Sequence, residues 1–338
     1  MENGRNIKPS AADCIHCHKC RDNCAFLSKY GIDIGDTVKL KELAYHCFLC
    51  GRCTEVCPVN IDGKQTVLDL RRERVASWDK KYVEKSYRGL IREKRDYIYR
   101  NWKNATSGSV FFPGCNFPSM YPRTNAEIVR IFKDHGIGTV YECCGKPVAE
   151  LGLQEDEDRI IDNIRKRLKQ NNITEIITGC PNCRDFFGDR LGVKVTGIFS
   201  KFTDLGIGNT VCGDYVFYIP CPDRRNRVWI EEIRPFIKGN ICLIDDVQCC
   251  GLGGSAARLE REIADSFTSG LKEKSEAVRN EDPGSGEISL VTYCASCTGR
   301  FRRCGLDSVD HILTKVTGTN ETADTMKSYL NRVMTKFK

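Results

Sequence analysis

Eight cysteines open this sequence in two runs of one rhythm: Cys14-x-x-Cys17-x-x-Cys20-x-x-x-Cys24, then Cys47-x-x-Cys50-x-x-Cys53-x-x-x-Cys57-Pro58. Two intervening residues let a short turn aim three thiolates at one face of a cube. The fourth thiolate must come from elsewhere, because one turn cannot surround a cluster. In runs of this spacing the fourth cysteine serves the other cluster. The spacing therefore predicts Cys14, Cys17, Cys20 and Cys57 around one cubane 4Fe–4S cluster, and Cys47, Cys50, Cys53 and Cys24 around a second. Zinc favours pairs of Cys-x-x-Cys separated by a longer loop, and neither run has that form. Cys24 is followed by Ala25 where such a run usually has proline, which shapes only the exit of the chain, so no ligand is lost. His16, His18 and His46 stand beside these cysteines, where they could tune the potential through hydrogen bonds; the plainer reading is that they are solvated, and they are not expected as ligands.

A second set of cysteines repeats at long range. Cys115, Cys143 and Cys144 recur 106 residues later as Cys221, Cys249 and Cys250, and Cys180 and Cys183 recur 114 residues later as Cys294 and Cys297. The extra eight residues have a home in the loop-like stretch RNEDPGSGE before Ile288. Five positions that keep their order imply an internal duplication with two similar half-sites facing one another. Adjacent side chains on an extended strand point to opposite sides. The vicinal pairs therefore reach one object only at a turn, and Gly145 and Gly251 supply that freedom. Five thiolates per repeat are too many for tetrahedral zinc or a plain cubane, and suit a larger or irregular iron–sulfur centre.

The elements that must position these groups can be read from periodicity. Residues 65–103 are charged and free of cysteine; Val67, Leu68, Val75, Trp78, Tyr82, Leu90, Ile91, Tyr97 and Ile98 predict a connector of amphipathic helices. From Ser107 the pattern alternates: a strand at VFFPGC, a helix at TNAEIVRIFKDHG stopped by Gly136, and a strand at TVYECCG. A helix through Ile160, Ile161, Ile164 and Leu168 and a strand at TEIITGCPNC complete the unit. This is α/β patterning. It puts all ten repeated cysteines just after strands, at the carboxyl edge of a sheet, where open α/β folds bind ligands.

Bulk properties exclude several classes. Twenty-one cysteines in 338 residues is about three to four times ordinary usage. The count is odd, the N-terminus MENGRNIKPSAADC has no apolar core, and the chain is long enough to build its own interior, so a secreted disulfide scaffold is not expected. No apolar run approaches the roughly 18 residues of a membrane helix. The expectation is a cytoplasmic protein of a reducing, anaerobic cell, with any membrane association arising through a partner. The formal charge of +7 is offset by clusters that each bring roughly −2, so nucleic acid is not an expected partner.

As a set, ECCGKP, QCCGLGGS, TGCPNC and YCASC, with leading cysteines in FFPGC and IPCPDR, resemble the two CCG domains of heterodisulfide reductase B-type subunits. The N-terminal run resembles the C-type subunit, an α-helical ferredoxin, and the order of the two in one chain is similar to the D-type subunit. Iron–sulfur subunits of glycolate oxidase, anaerobic glycerol-3-phosphate dehydrogenase and lactate-utilisation systems share this layout. The resemblance covers about residues 10 to 310. It implies two noncubane 4Fe–4S clusters, one on Cys115, Cys143, Cys144, Cys180 and Cys183, the other on Cys221, Cys249, Cys250, Cys294 and Cys297. It further implies that a disulfide is cleaved between them, with electrons arriving singly through the cubanes. The intervals Cys115–Cys143 and Cys221–Cys249 are shorter than the family's and Cys250–Cys294 is longer, which bears on pocket shape and substrate.

The resulting expectation is an α+β multi-domain protein. An α-helical ferredoxin domain with its connector occupies 1–106, and two similar Rossmann-like CCG domains related by duplication occupy 107–212 and 213–338. The function expected is a disulfide reductase subunit; the alternative is an electron-transfer subunit of a flavoprotein dehydrogenase. Either needs a protein partner: a flavoprotein, a hydrogenase-type protein or a membrane cytochrome subunit. No G-x-G-x-x-G unit follows a strand with a suitable acidic residue downstream, so no flavin or nicotinamide is expected in this chain, and Gly251–Gly254 is read as part of the CCG turn. Cys212, Cys242 and Cys304 are expected as buried structural thiols, and Arg224, Arg225 and Arg300 as basic groups compatible with an anionic substrate. TMKSYLNRVMTKFK, with Met326, Leu330, Val333 and Met334 on one side, is expected as a terminal helix.

Overall fold

A computed structural model describes residues 9–281 and 288–338. The N-terminal segment is built from short helices, Lys19–Asp22, Ala25–Tyr30, Thr37–Glu42 and Arg52–Glu55, and the longer helix Gly63–Arg74. Helices Lys19–Asp22 and Arg52–Glu55 each begin behind a residue in the left-handed region, His18 and Gly51, where the chain leaves a cysteine turn. Phe26, Leu27, Leu40, Ala44, Ile61 and Val67 make a small core between the cysteines. Helices Lys80–Ser86 and Arg88–Lys94 follow, burying Val83 and Ile91.

The connector is helical only up to that point. Residues Asn101–Asn104 form a strand, β1, that pairs antiparallel with a later strand, so the helical reading of 65–103 fails at its end. Trp78, Tyr82 and Ile98 are also exposed and do not face the core. Trp78 instead lies under the Arg74 guanidinium at 5.2 Å, an arrangement stabilised by the ring quadrupole.

Among the described residues, ten further strands follow in order: β2 (Gly108–Phe112), β3 (Gly138–Tyr141), β4 (Ile173–Thr178), β5 (Lys194–Gly197), β6 (Val211–Cys212), β7 (Tyr215–Tyr218), β8 (Ile237–Lys238), β9 (Ile241–Ile244), β10 (Ser289–Thr292) and β11 (Asp310–His311). They form a five-stranded sheet of order β1-β3-β2-β4-β5, a four-stranded sheet of order β11-β10-β7-β9, and a small β6-β8 pair. Strands β2 to β5 are parallel to one another, as are all four strands of the second sheet. Parallel pairing needs crossovers, and the helices Pro122–Asp134, Gln154–Gln170 and Arg261–Glu281 lie in such connections. Leaving β1 aside, each sheet reads second–first–third–fourth across its strands.

The helix Arg261–Glu281 has 21 residues against 17 in Gln154–Gln170. Part of the extra length assigned to RNEDPGSGE is therefore helix, and the rest of that stretch lies outside the described residues. The two sheets share one apolar core, in which Phe111, Phe132 and Phe199 meet Phe217, Trp229 and Tyr293. Trp229 and Tyr293 stack at 6.2 Å.

The N-terminal segment is fastened to the stretches that follow both vicinal cysteine pairs by Arg71, whose side chain is fully buried. Its guanidinium donates to the carbonyl oxygens of Ala44 (2.8 and 3.0 Å), Cys47 (2.8 Å), Glu150 (2.5 Å) and Gly254 (3.0 Å). The ring of Tyr45 lies 4.8 Å below it, and the Tyr45 hydroxyl donates to Leu151 O at 2.9 Å. A planar fork of five donors can satisfy four carbonyls at once; an ammonium cannot. We expect Arg71→Lys to strand several of these carbonyls, to destabilise the protein by about 3 kcal/mol, and to lower its melting midpoint by about 5 °C or more. Calorimetry of Arg71→Lys beside the exposed control Arg92→Lys tests this. An unchanged midpoint would show that the fork holds nothing.

Candidate metal centres

Cys14, Cys17, Cys20 and Cys57 line one cavity at the surface, with Asp33 and His18. Cys17 is exposed, as is the neighbouring Ile15. The second N-terminal group is deeper: Cys24, Cys50 and Cys53 are buried. Desolvation pushes the Cys24 thiol up to about 12, with Cys50 and Cys47 adding to the same direction, and Cys53 is raised by burial and by Cys47, Cys24 and Cys50. Cys57 thus stands with the first run and Cys24 with the second.

The two turns have the same backbone. His16 (φ 48°) and His18 (φ 61°) flank Cys17 as Leu49 (φ 50°) and Gly51 (φ 80°) flank Cys50. Left-handed backbone at a non-glycine residue costs about 1 kcal/mol or more. What it achieves is visible in the hydrogen bonds: His16 N–H donates to Cys14 Sγ at 3.4 Å, Leu49 N–H to Cys47 Sγ at 3.3 Å, and Ile61 N–H to Cys57 Sγ at 3.3 Å. Amide donors aimed at sulfur stabilise thiolate, the form that binds metal.

The ten repeated cysteines gather in two groups of five. In the first, thiols influence one another's ionisation along the path Cys115–Cys143–Cys144–Cys183–Cys180. In the second the path runs Cys221–Cys249–Cys250–Cys297–Cys294, in the same order. Gly145 (φ 93°) and Gly251 (φ 80°) take the left-handed backbone that lets both vicinal sulfurs turn inward. A side chain on Gly114 would meet the Cys183 sulfur at 3.3 Å, so the approach to the first group is open only to glycine.

Crowded buried thiols cannot all ionise on their own. Shared protons push Cys144 down to about 5, through its bonds to Cys143 and Cys183, while Cys143 rises to about 12. A cationic cluster resolves that conflict, and the donor set of buried sulfurs with inward amides fits iron–sulfur chemistry. Cations also surround the groups. Burial disfavours the Lys94 ammonium, but Cys115 and Cys143 beside it outweigh that and raise its pKa. Arg332 is raised by Cys115 and Glu93, and at the second group Arg224 stands against Tyr218, Cys221, Cys50 and Cys249. Lys146, paired with Glu150 at 2.5 Å, also feels Cys221.

Contacts between groups put them in a line. Cys50 of the deeper N-terminal group stands beside Cys249 of the second repeat, whose thiol pulls it down to about 6. Cys294 of the second repeat stands beside Cys180 of the first, each shifting the other's ionisation, and Asn182 Nδ2 donates to Cys294 Sγ at 3.5 Å. Asn116 Nδ2 donates to Ser296 Oγ at 2.6 Å across the same junction. The order is exposed N-terminal group, deeper N-terminal group, second repeat, first repeat.

Several expectations need correction. Cys212 and Cys242 are exposed and Cys304 is half-buried, 3.8 Å from Asp265, so these are not core thiols; Cys212 and Cys242 sit on outward positions of the short strands β6 and β9. The histidines are not simply solvated: His16 and His18 lie 2.9 and 3.1 Å from Asp33, and His46 lies 2.6 Å from Glu260. Arg224 is buried behind the second repeat and Arg300 pairs with Asp265 at 2.5 Å, which leaves Arg225 as the exposed member of the three basic groups. The C-terminal helix, Ser328–Met334, divides its apolar residues. Met326, Leu330 and Met334 face solvent, while Val333 packs by Cys115, Cys143, Tyr97 and Tyr99. Sequence reasoning missed Arg71, Lys94, Gln248 and Arg332, since a lone basic or amide residue carries no spacing signal.

Residues 10–61 match the 4Fe-4S dicluster domain, and residues 109–188 match the cysteine-rich CCG domain. This is an iron–sulfur protein with a dicluster domain followed by a CCG domain. One component of the fumarate reductase (CoM/CoB) of Methanothermobacter marburgensis is 25% identical over 335 residues, covering 84% of this chain and 66% of that protein. An iron–sulfur protein of Methanococcus maripaludis is 24% identical over 342 residues, covering 86% and 67%. The chain spans about two thirds of the length of these relatives. Among the described residues, no helix is long and apolar enough to cross a membrane.

A valine at Gly251 would need the left-handed backbone and would press on Ala264 O at 2.9 Å. We expect Gly251→Val to lower the iron bound per chain after anaerobic reconstitution, read by metal analysis. The control Gly270→Ala, in open space on a helix, should retain full iron.

Proposed function

We propose that this protein is the iron–sulfur subunit of an oxidoreductase that cleaves, or in reverse forms, a disulfide between its two repeated cysteine groups. In this reading Cys14, Cys17, Cys20 and Cys57 hold one cubane and Cys24, Cys47, Cys50 and Cys53 the other. Cys115, Cys143, Cys144, Cys180 and Cys183, and Cys221, Cys249, Cys250, Cys294 and Cys297, each hold a noncubane cluster. When bound, these centres would supply one-electron carriers at the cubanes and, at the noncubane pair, two places to take up the sulfurs of a divided disulfide. The observation that carries the reading is the identical sulfur path in two complete groups of five that abut at Cys180 and Cys294. A simple relay has no need of two such groups in contact.

The chain's own residues prepare this site. Lys94 and Arg332 at one group, and Arg224 at the other, offset buried negative charge. Tyr97, Tyr99 and Val333 close over Cys143 and Cys115 and exclude water there. The shared strand order of the two sheets supports an internal duplication; we take its units as 107–212 and 213–338 behind a segment 1–106 whose last strand, β1, joins the first sheet. The exposed Cys17 and Ile15 mark the side where a protein partner would exchange electrons. The relative named as a subunit of a fumarate reductase (CoM/CoB) supports an oxidoreductase complex as the working form.

The competing reading is an electron-transfer subunit of a flavoprotein dehydrogenase, and metal content with one variant separates the two. Anaerobically reconstituted protein should hold about sixteen irons, four per cluster, and no zinc. Zinc is counted because Cys14, His16 and Asp33 come within 4.8 Å of one another and could compete for it. Cys249→Ser should abolish disulfide reduction by a reduced dye and the spectral response to thiol, leaving the cubane signals. Full activity in that variant would favour the relay; about eight irons with zinc would remove the noncubane assignment.

A further inference from the structure

Gln248 immediately precedes the vicinal pair of the second repeat, yet its side chain reaches the N-terminal segment. Its Nε2 donates to Cys24 Sγ at 3.4 Å and to Cys50 Sγ at 3.7 Å. Its Oε1 accepts the backbone N–H of Ala25 at 2.7 Å. The amide is buried. Because a backbone N–H can only donate, the Ala25 amide fixes which end of the Gln248 side chain carries the oxygen. Both N–H groups are thereby turned toward sulfur.

We infer that Gln248 is a positioning residue that sets the reduction potential of the deeper N-terminal centre and clamps it to the second repeat. The inference rests on the assignment of Cys24, Cys47, Cys50 and Cys53 to a cubane. Hydrogen bonds to cluster thiolates draw off negative charge, and that matters more in the reduced cluster, which carries one electron more; donors to sulfur therefore raise the potential. The effect is strong here because the amide and two of the sulfurs are shielded from solvent. Gln248 is covalently next to Cys249, whose thiol stands beside Cys50. One residue thus holds both the spacing and the energy step between the two groups.

Ala25 gives this inference a second handle. Proline at this position would have no N–H to offer Gln248. Ala25 is the first residue of the helix Ala25–Tyr30, a place where proline is otherwise well tolerated. The departure from the usual proline, neutral for ligation, is what orients the amide.

The test is an anaerobic redox titration followed by EPR on fully loaded protein. Gln248→Leu should lower the midpoint of one cubane, leave the other where it was, and keep the iron content. Ala25→Pro, which retains the glutamine but frees its oxygen, should lower the same midpoint by less. Loaded variants whose midpoints both equal that of the unaltered protein would overturn the inference while leaving the cluster assignment intact. Unaltered protein that shows only one cubane signal would sink the assignment itself, and the inference with it. If Gln248→Leu fails to load, Ala25→Pro decides alone.

Discussion

The architecture depends on one buried guanidinium. Arg71 comes from the first long helix, and its four acceptors belong to three separate stretches: the second cysteine turn (Ala44 and Cys47), the end of the first CCG turn (Glu150) and the glycine-rich exit of the second (Gly254). A charged group is tolerated in the interior only when its donors are met. Here the requirement works outward, because satisfying the fork fixes where those stretches stand relative to one another. Gly254 is held from both sides: its carbonyl accepts from Arg71, and its N–H donates to the Glu150 carboxylate at 3.1 Å. A side chain there would strike the Cys47 carbonyl, so glycine is needed for the close approach. The glycine-rich stretch after the second vicinal pair is therefore more than a continuation of its turn. It is the seat of the N-terminal segment.

From that fixed contact the line of sulfur groups follows. With Cys47 and Gly254 in register, Cys50 comes against Cys249 and Gln248 comes over Cys24 and Cys50. At the far side, the apolar core common to both sheets holds the carboxyl ends of β4 and β10 close enough for Cys180 to meet Cys294. Packing energy of ordinary kind, spread over aromatic residues from both sheets, thereby sets the separation between the two groups of five.

How much of this was legible in the sequence depends on whether a feature has a period. The cysteine spacings suggested both N-terminal sets, and the repeat offsets both groups of five, because local turns, and duplicated units of the kind proposed, impose regular intervals. The strand–helix order was legible for the same reason: VFF and EIIT are apolar runs buried on both faces, while Pro122–Asp134 and Gln154–Gln170 carry a helical stripe. What escaped has no period. The β1 strand forms at Asn101–Asn104 because β3 offers it an edge, not because NWKN favours extension. Cys212 and Cys242 looked like core thiols by residue type, but short edge strands turned them outward. Arg71 and Gln248 are single residues whose partners lie far away in sequence.

A duplication of the kind proposed would explain the ligands but not their surroundings, and this makes the two groups of five inequivalent. Both have the same sulfur path and the same glycine after the vicinal pair. The cations that balance them have different origins. At the first group they come from outside the repeat, Lys94 from the connector and Arg332 from the C-terminal helix, joined by Glu93 at 2.7 Å from each. At the second, Arg224 lies within the repeat and Lys146 is lent by the other one. Two thiolate groups in unequal fields cannot have equal affinity for an electron or a sulfur. Under the proposed function, dividing two electrons between these neighbouring centres would gain direction from that inequality, which a perfectly symmetric pair would lack.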